Sequence, residues 1–120
     1  MPWESSYVYT QALRVGDTIY ISGQLSHDDD GNLIGTGDIE AQVRQTYMNI
    51  QKVLAMHGAT VDNIVEEVVY VTNIPKTMEP LSKTRKEVFK GKIPPASTLV
   101  QVVRLSFDDQ LIEIKCIAKV

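Results

Sequence analysis

Positions Ile39, Val43, Tyr47, Ile50, Leu54 and His57 recur at steps of three and four, and only one other stretch of the 120-residue chain reads as helix. Asp38 stands as an N-cap and Gly58 lies just past the end, so the spacing predicts a first helix over Ile39 to His57. The second helix is predicted from about Glu79 to Phe89, started by Thr77, with Pro80 in its first turn where a missing N–H costs little. The remaining patterned segments read as strands. Two helices cannot cover both faces of a sheet, so the predicted class is α+β, a mixed sheet with both helices packed on one face.

The strand candidates are Tyr7 to Val15 and Thr18 to Ser22 (TIYIS), which make an opening hairpin, then Glu66 to Asn73 (EEVVYVTN), ending at Ile74-Pro75. Thr98 to Leu105 and Leu111 to Val120 follow, joined by a polar turn around Ser106 to Asp109. Leu33 and Ile34 form a further short candidate between the polar turn Asp28 to Asn32 and Gly35. On the last strand Ile112, Ile114, Cys116, Ala118 and Val120 point one way, under the helices, while Glu113, Lys115 and Ile117 point the other. Either choice of outward face on the other strands leaves Tyr20 or Ile19 and Ile21, and Val68 and Tyr70 or Val69 and Val71, on the uncovered side. Leaving such side chains wet forgoes roughly 1.5 to 3 kcal/mol each, and a symmetric partner is the economical cover.

One domain over residues 1–120 is expected, since no stretch looks like a linker. Hydrophobic residues make up 43% and charged residues 22%, which excludes disordered and fibrous classes. The apolar runs are far short of the roughly 20 residues a bilayer requires, so no membrane partner is expected. A lone Cys116 cannot form an internal disulfide, and the expected location is a reducing, cytoplasmic one. The net charge of −3 comes from interspersed acids and bases without a basic stripe, so nucleic acid is not expected as a partner.

Familiar site motifs fail on spacing. His27, His57 and Cys116 are isolated from one another, so no metal is assigned. Asp28 to Asn32 has its Gly31 two positions too early for a calcium loop and Ile39 where the bidentate Glu belongs; it reads as a hairpin turn. Gly35-Thr36-Gly37 lacks the third glycine of a dinucleotide site. No nucleophile elbow or Ser, His and Asp set is present, and His57 reads as a packed or capping residue.

The segments that escape these readings are Tyr9-Thr10-Gln11-Ala12, Ser22-Gly23-Gln24, the helix start from Asp38 to Thr46 (DIEAQVRQT), and the tail IPPASTLVQVVRL followed by LIEIKCIA. From about Tyr9 to Ala118, in order and spacing, they resemble the RidA/YjgF family of reactive-intermediate deaminases. The resemblance implies a chorismate-mutase-like fold and a homotrimer whose sheets line a central barrel, with a small-molecule substrate or metabolite bound in clefts between subunits. It implies hydrolysis of enamines or imines to a ketone or keto acid and ammonia, with no cofactor.

Carried over by position, the cleft would take Tyr9, Ser22 and Gly23 from one subunit, and Ala96, Ser97, Thr98 and Leu99 with Glu113 from its neighbour. Glu113 is the candidate catalytic acid or base, since an imine carbon is already electrophilic and one carboxylate can manage the proton. Ser97 stands where the resemblance implies an arginine that grips a substrate carboxylate, Leu99 where a cysteine is common, Ser82 for an asparagine and Arg85 for a tyrosine. A hydroxyl cannot replace a guanidinium fork, which implies a divergent member whose substrate is unlike the common 2-imino acids. The alternative is a non-catalytic metabolite-binding or regulatory trimer using the same clefts. Arg85, Arg104 and Lys115 are the cations available to replace the missing charge, and the first two read as solvated surface side chains.

Overall fold

The structure, a computed structural model, describes residues 3–120. Five strands, β1 (Ala12–Val15), β2 (Thr18–Gln24), β3 (Ile64–Val71), β4 (Ala96–Gln101) and β5 (Ile112–Lys119), form one sheet in the order β1-β2-β5-β3-β4. β3 and β4 pair in parallel, and the other neighbours are antiparallel. The connection from β2 to β3 runs through α2 (Ile39–Met56), and that from β3 to β4 through α3 (Ile74–Val88). Both crossovers join parallel strands and step along the sheet in the same direction. Right-handed connections therefore place both helices on the same face, as the element count predicted.

Beneath α2 and α3 lies one apolar core. Ile19 and Ile21 of β2, Val69 and Val71 of β3, and Ile112, Ile114, Cys116 and Ala118 of β5 meet Val43, Tyr47, Ile50, Leu54, Leu81 and Phe89 from the helix side. The outward face was thereby chosen: Tyr20, Val68, Tyr70 and Ile117 point away from the helices, with Leu13 and Val15 of β1. Leu13, Val15 and Tyr20 are half exposed on that face.

Several boundaries differ from the sequence expectation, β3 by two residues at each end and others by more. Tyr7 belongs to a short helix, α1 (Trp3–Tyr7), and the hairpin's first strand begins only at Ala12. α3 starts at Ile74, five residues before Glu79, because Pro75 occupies the first turn, where no N–H is needed, and Asn73 caps it by accepting from Lys76 N at 3.0 Å. A proline read as the end of a strand is the beginning of a helix, and Pro80 sits inside that helix. β4 stops at Gln101 instead of reaching Leu105, and Leu33 makes only an isolated bridge to His27.

The cap of α2 and the polar turn held as expected. Asp38 caps α2 through Ala41 N at 3.1 Å, and His57 is its C-cap. Asp28 Oδ1 accepts from Asp30 N and Asn32 N, each at 2.9 Å, which makes Asp28 to Asn32 a closed Asx-type turn. Among the described residues no helix is long and apolar enough to cross a membrane, and no group of three or more potential ligands gathers for a metal.

One buried polar atom on α3 has no partner. Thr84 is 2% exposed and its Oγ1 makes no hydrogen bond among the described residues. Thr84→Val keeps the β-branched shape and removes that desolvated hydroxyl, so it is expected to raise stability by about 1 kcal/mol. A urea midpoint that falls instead would show that the hydroxyl is satisfied.

Candidate active site

The β2–β5 ladder shifts register between Ile21 and Gln24, and the resulting bulge takes Ser22 and Gly23 out of regular pairing. Ser22 is fully committed to the backbone before it: its N–H donates to Gln11 O at 2.9 Å and its hydroxyl to Thr10 O at 2.6 Å. Its role is to fix the segment that carries Tyr9. Gly23 is required for a different reason. The Glu113 side chain of β5 crosses directly over it, and a Cβ at Gly23 would fall 2.6 Å from Glu113 Cδ and 2.9 Å from Cγ.

Tyr9, Ser22, Gly23 and Glu113 line one cavity of about 620 Å³. Glu113 Oε1 accepts from Gln110 Nε2 at 3.2 Å, and among the described residues the carboxylate makes no ion pair. Gln110 is 1% exposed and also donates to Ile112 O at 3.2 Å, so it clamps the start of β5 to the acid. Gln42 of α2, fully buried, secures the same corner from the other side, accepting from Leu111 N at 2.9 Å and donating to Asp109 O at 2.9 Å. Burial, with smaller contributions from the charges of Glu4 and Glu113, raises the Tyr9 phenol above its ordinary pKa and keeps it a donor at neutral pH.

α1 reaches the same cavity. The chain reverses at Val8, whose φ of 58° is left-handed and uncommon for a β-branched residue, and Tyr9 N bonds back to Glu4 O at 3.0 Å. That turn sets Trp3 and Tyr7 on the cavity wall, together with Ser106 and Phe107 of the loop before β5. Trp3 packs on Phe107 with ring centroids 5.2 Å apart, and edge-on to His27 at 4.9 Å.

The remaining expected residues lie elsewhere. Alternation along β4 divides the run after Pro95: Ala96 and Thr98 share the outward face with Glu66 and Val68, while Ser97 and Leu99 turn toward the helices, opposite Glu67 and Val69. Ser97 and Leu99, with Ser82 and Arg85 of α3, line a second groove of about 570 Å³. Glu113 was expected beside Ala96 to Leu99; within one chain it sits with Tyr9, Ser22 and Gly23 instead, because those residues and β5 are neighbours through β2.

Arg85 is not the solvated side chain the sequence suggested. Its Nη2 donates to Glu67 Oε1 and to Ser97 Oγ, and its Nε to Tyr47 OH at 3.2 Å. Glu67 is 1% exposed and also accepts from Tyr47 OH at 3.0 Å and from Ser97 Oγ at 3.1 Å. Burial first, and then the charge of Glu67, push the Tyr47 phenol and the Cys116 thiol well above their ordinary values, so both stay protonated. Arg104, by contrast, lies on the surface and binds Asp108 at 3.1 Å. Sequence reasoning missed Trp3, Tyr7, Phe107, Gln110, Tyr47 and Glu67. Glu67 alone left a signal, as an acid at a position that alternates with Val69 and Val71 on the core face of β3.

Comparison with known proteins places this geometry. The family profile described as Endoribonuclease L-PSP matches residues 3–120. A RutC family protein of Sulfurisphaera tokodaii is 37% identical over 109 residues, covering 91% of this chain and 85% of the relative. A 2-iminobutanoate/2-iminopropanoate deaminase of Dermatophagoides farinae is 30% identical over 91 residues, covering 76% of this chain and 70% of the relative. The crystal structure of YyfA, a protein of the conserved Rid family from Yersinia pestis, superposes with a TM-score of 0.86 at 38% identity, covering 93% of this chain and 87% of that one. With its whole described length matched by the family profile and its fold superposing on a solved Rid-family structure, the chain belongs to the RidA/YjgF family.

Proposed function

We propose that this chain is a cofactor-independent hydrolase that deaminates a reactive enamine or imine in the pocket around Glu113. Water adds to the imine carbon, a proton passes to the nitrogen, and the C–N bond breaks to leave a ketone or keto acid and ammonia. The observation that carries this reading is the Glu113 carboxylate, held over Gly23, free of any ion pair among the described residues and facing a cavity of about 620 Å³. Such a carboxylate can take a proton from water and return it to the departing nitrogen, while Tyr9 supplies a hydroxyl donor on the same wall. The deaminase name of a relative supports the same chemistry.

The working unit on this reading is a homotrimer. The half-exposed Leu13, Val15 and Tyr20, with Ile117 and Val68 beside them, form the face that sister chains would cover. Covering it would bring the Ser97 groove of one copy toward the Glu113 pocket of another. The single buried Cys116 favours a reducing, cytoplasmic setting. A substrate unlike the common 2-imino acids follows from Ser97 and from the engagement of Arg85 with Glu67, which leaves no uncommitted guanidinium on that groove among the described residues.

Ammonia release from a panel of enzymatically generated enamines tests the hydrolase. Glu113→Gln is expected to lower turnover about 100-fold or more at unchanged melting temperature. Equal activity in wild type and variant would remove Glu113 from the chemistry. Saturable metabolite binding with no turnover of any imine would instead establish the regulatory reading, which the engaged Arg85 also favours.

A further inference from the structure

Half of the eight aromatic side chains in the chain, Trp3, Tyr7, Tyr9 and Phe107, line the Glu113 pocket. Hydrolysis of an imine does not by itself call for them. Trp3 is held in place between Phe107 and His27, so at least this ring is fixed and not merely mobile surface. No Lys or Arg belongs to the pocket wall among the described residues. The guanidinium nearest in sequence, Arg104, is spent on Leu105 O at 3.0 Å, Ser106 O at 3.3 Å and Asp108 Oδ1 at 3.1 Å. Aromatic faces carry a negative quadrupole, and one carboxylate among them that makes no ion pair with any described residue makes the cavity attractive to positive charge. An anion entering the pocket would meet Glu113 with no compensating donor charge.

We propose that the Glu113 pocket is a cation site that takes a flat organic cation, with its charge between the Glu113 carboxylate and the aromatic faces of the wall. The natural occupant is then a protonated imine without a carboxylate of its own. The identification as an iminium rests on the hydrolase reading above; the preference for a cation does not. On the second groove Arg85, which could have clamped a substrate carboxylate, is already neutralised by a carboxylate of the protein itself, Glu67, and Lys86 is the other cation on that wall, a point charge without the guanidinium fork.

Three single-ring probes that differ in charge separate the possibilities: N-methylpyridinium, toluene and benzoate, titrated calorimetrically into the full chain. N-methylpyridinium is expected to bind at least about tenfold more tightly than either of the others. Glu113→Gln should abolish most of that advantage, and Phe107→Leu should weaken the cation about fivefold while leaving the toluene affinity less affected. Melting temperatures of both variants identify any that fail to fold, and Tyr7→Leu serves as the replacement. Benzoate binding as tightly as the cation, affinities independent of charge, no binding of any probe, or a cation affinity untouched by Glu113→Gln would each overturn the proposal. Cation binding without ammonia release from any imine would leave the cation site standing and defeat the hydrolase.

Discussion

Arg85→Ala is expected to destabilise the protein by about 3–5 kcal/mol, the cost of removing one partner from a buried ion pair. Glu67 is 1% exposed with Arg85 in place, and Arg85 is the member of the pair that reaches the groove, so truncation strands the carboxylate in a largely desolvated site. Its remaining donors, Tyr47 and Ser97, are neutral hydroxyls and cannot compensate its charge. The loss should therefore belong to the stranded carboxylate and not to the arginine's own packing. Glu67→Gln added to Arg85→Ala is expected to recover most of it, giving a coupling of about 2 kcal/mol in the double-mutant cycle. Urea unfolding at one fixed protein concentration measures all four corners. A cost below about 1 kcal/mol for Arg85→Ala, the range of exposed pairs, would mean that the pair is solvated.

Gly23→Ala is expected to reduce turnover nearly as far as Glu113→Gln, about 100-fold, while costing the fold little. The backbone at Gly23 is not in the left-handed region, so an L side chain meets no conformational strain there. What the new methyl meets is Glu113, at 2.6 Å from Cδ, and a flexible side chain yields more cheaply than backbone. Yielding moves the carboxylate off the bulge and breaks its 3.2 Å contact with Gln110. Retained folding with turnover lost would tie the glycine to the acid; wild-type turnover would show that the carboxylate acts from another rotamer.

The residues that sequence reading placed correctly are those with local signals. The period of α2, its Asp38 cap, the TIYIS strand and the alternation on β5 are written in neighbouring residues, and the structure reproduces them. The start of α3 was misread because Ile74-Pro75 is compatible locally with the end of a strand or the first turn of a helix, and only the Asn73 cap decides. Arg85 was misread for a related reason. A long cation on an amphipathic helix looks solvated until the acid opposite it, 18 residues earlier on β3, is known to be buried.

By itself the sequence determined the two long helices and the five strands in order, the side of β5 that faces the core, and, through the resemblance at Tyr9, Ser22, Gly23 and Glu113, four of the positions that meet in one pocket. Tertiary structure alone decided which wall each candidate joins. Strand order β1-β2-β5-β3-β4 puts Glu113 beside the β2 bulge and two strands away from Ser97. A carboxylate's chemistry depends on what lies within a few ångströms of it, and in a sheet those neighbours come from strands far apart in the chain, which no local pattern specifies.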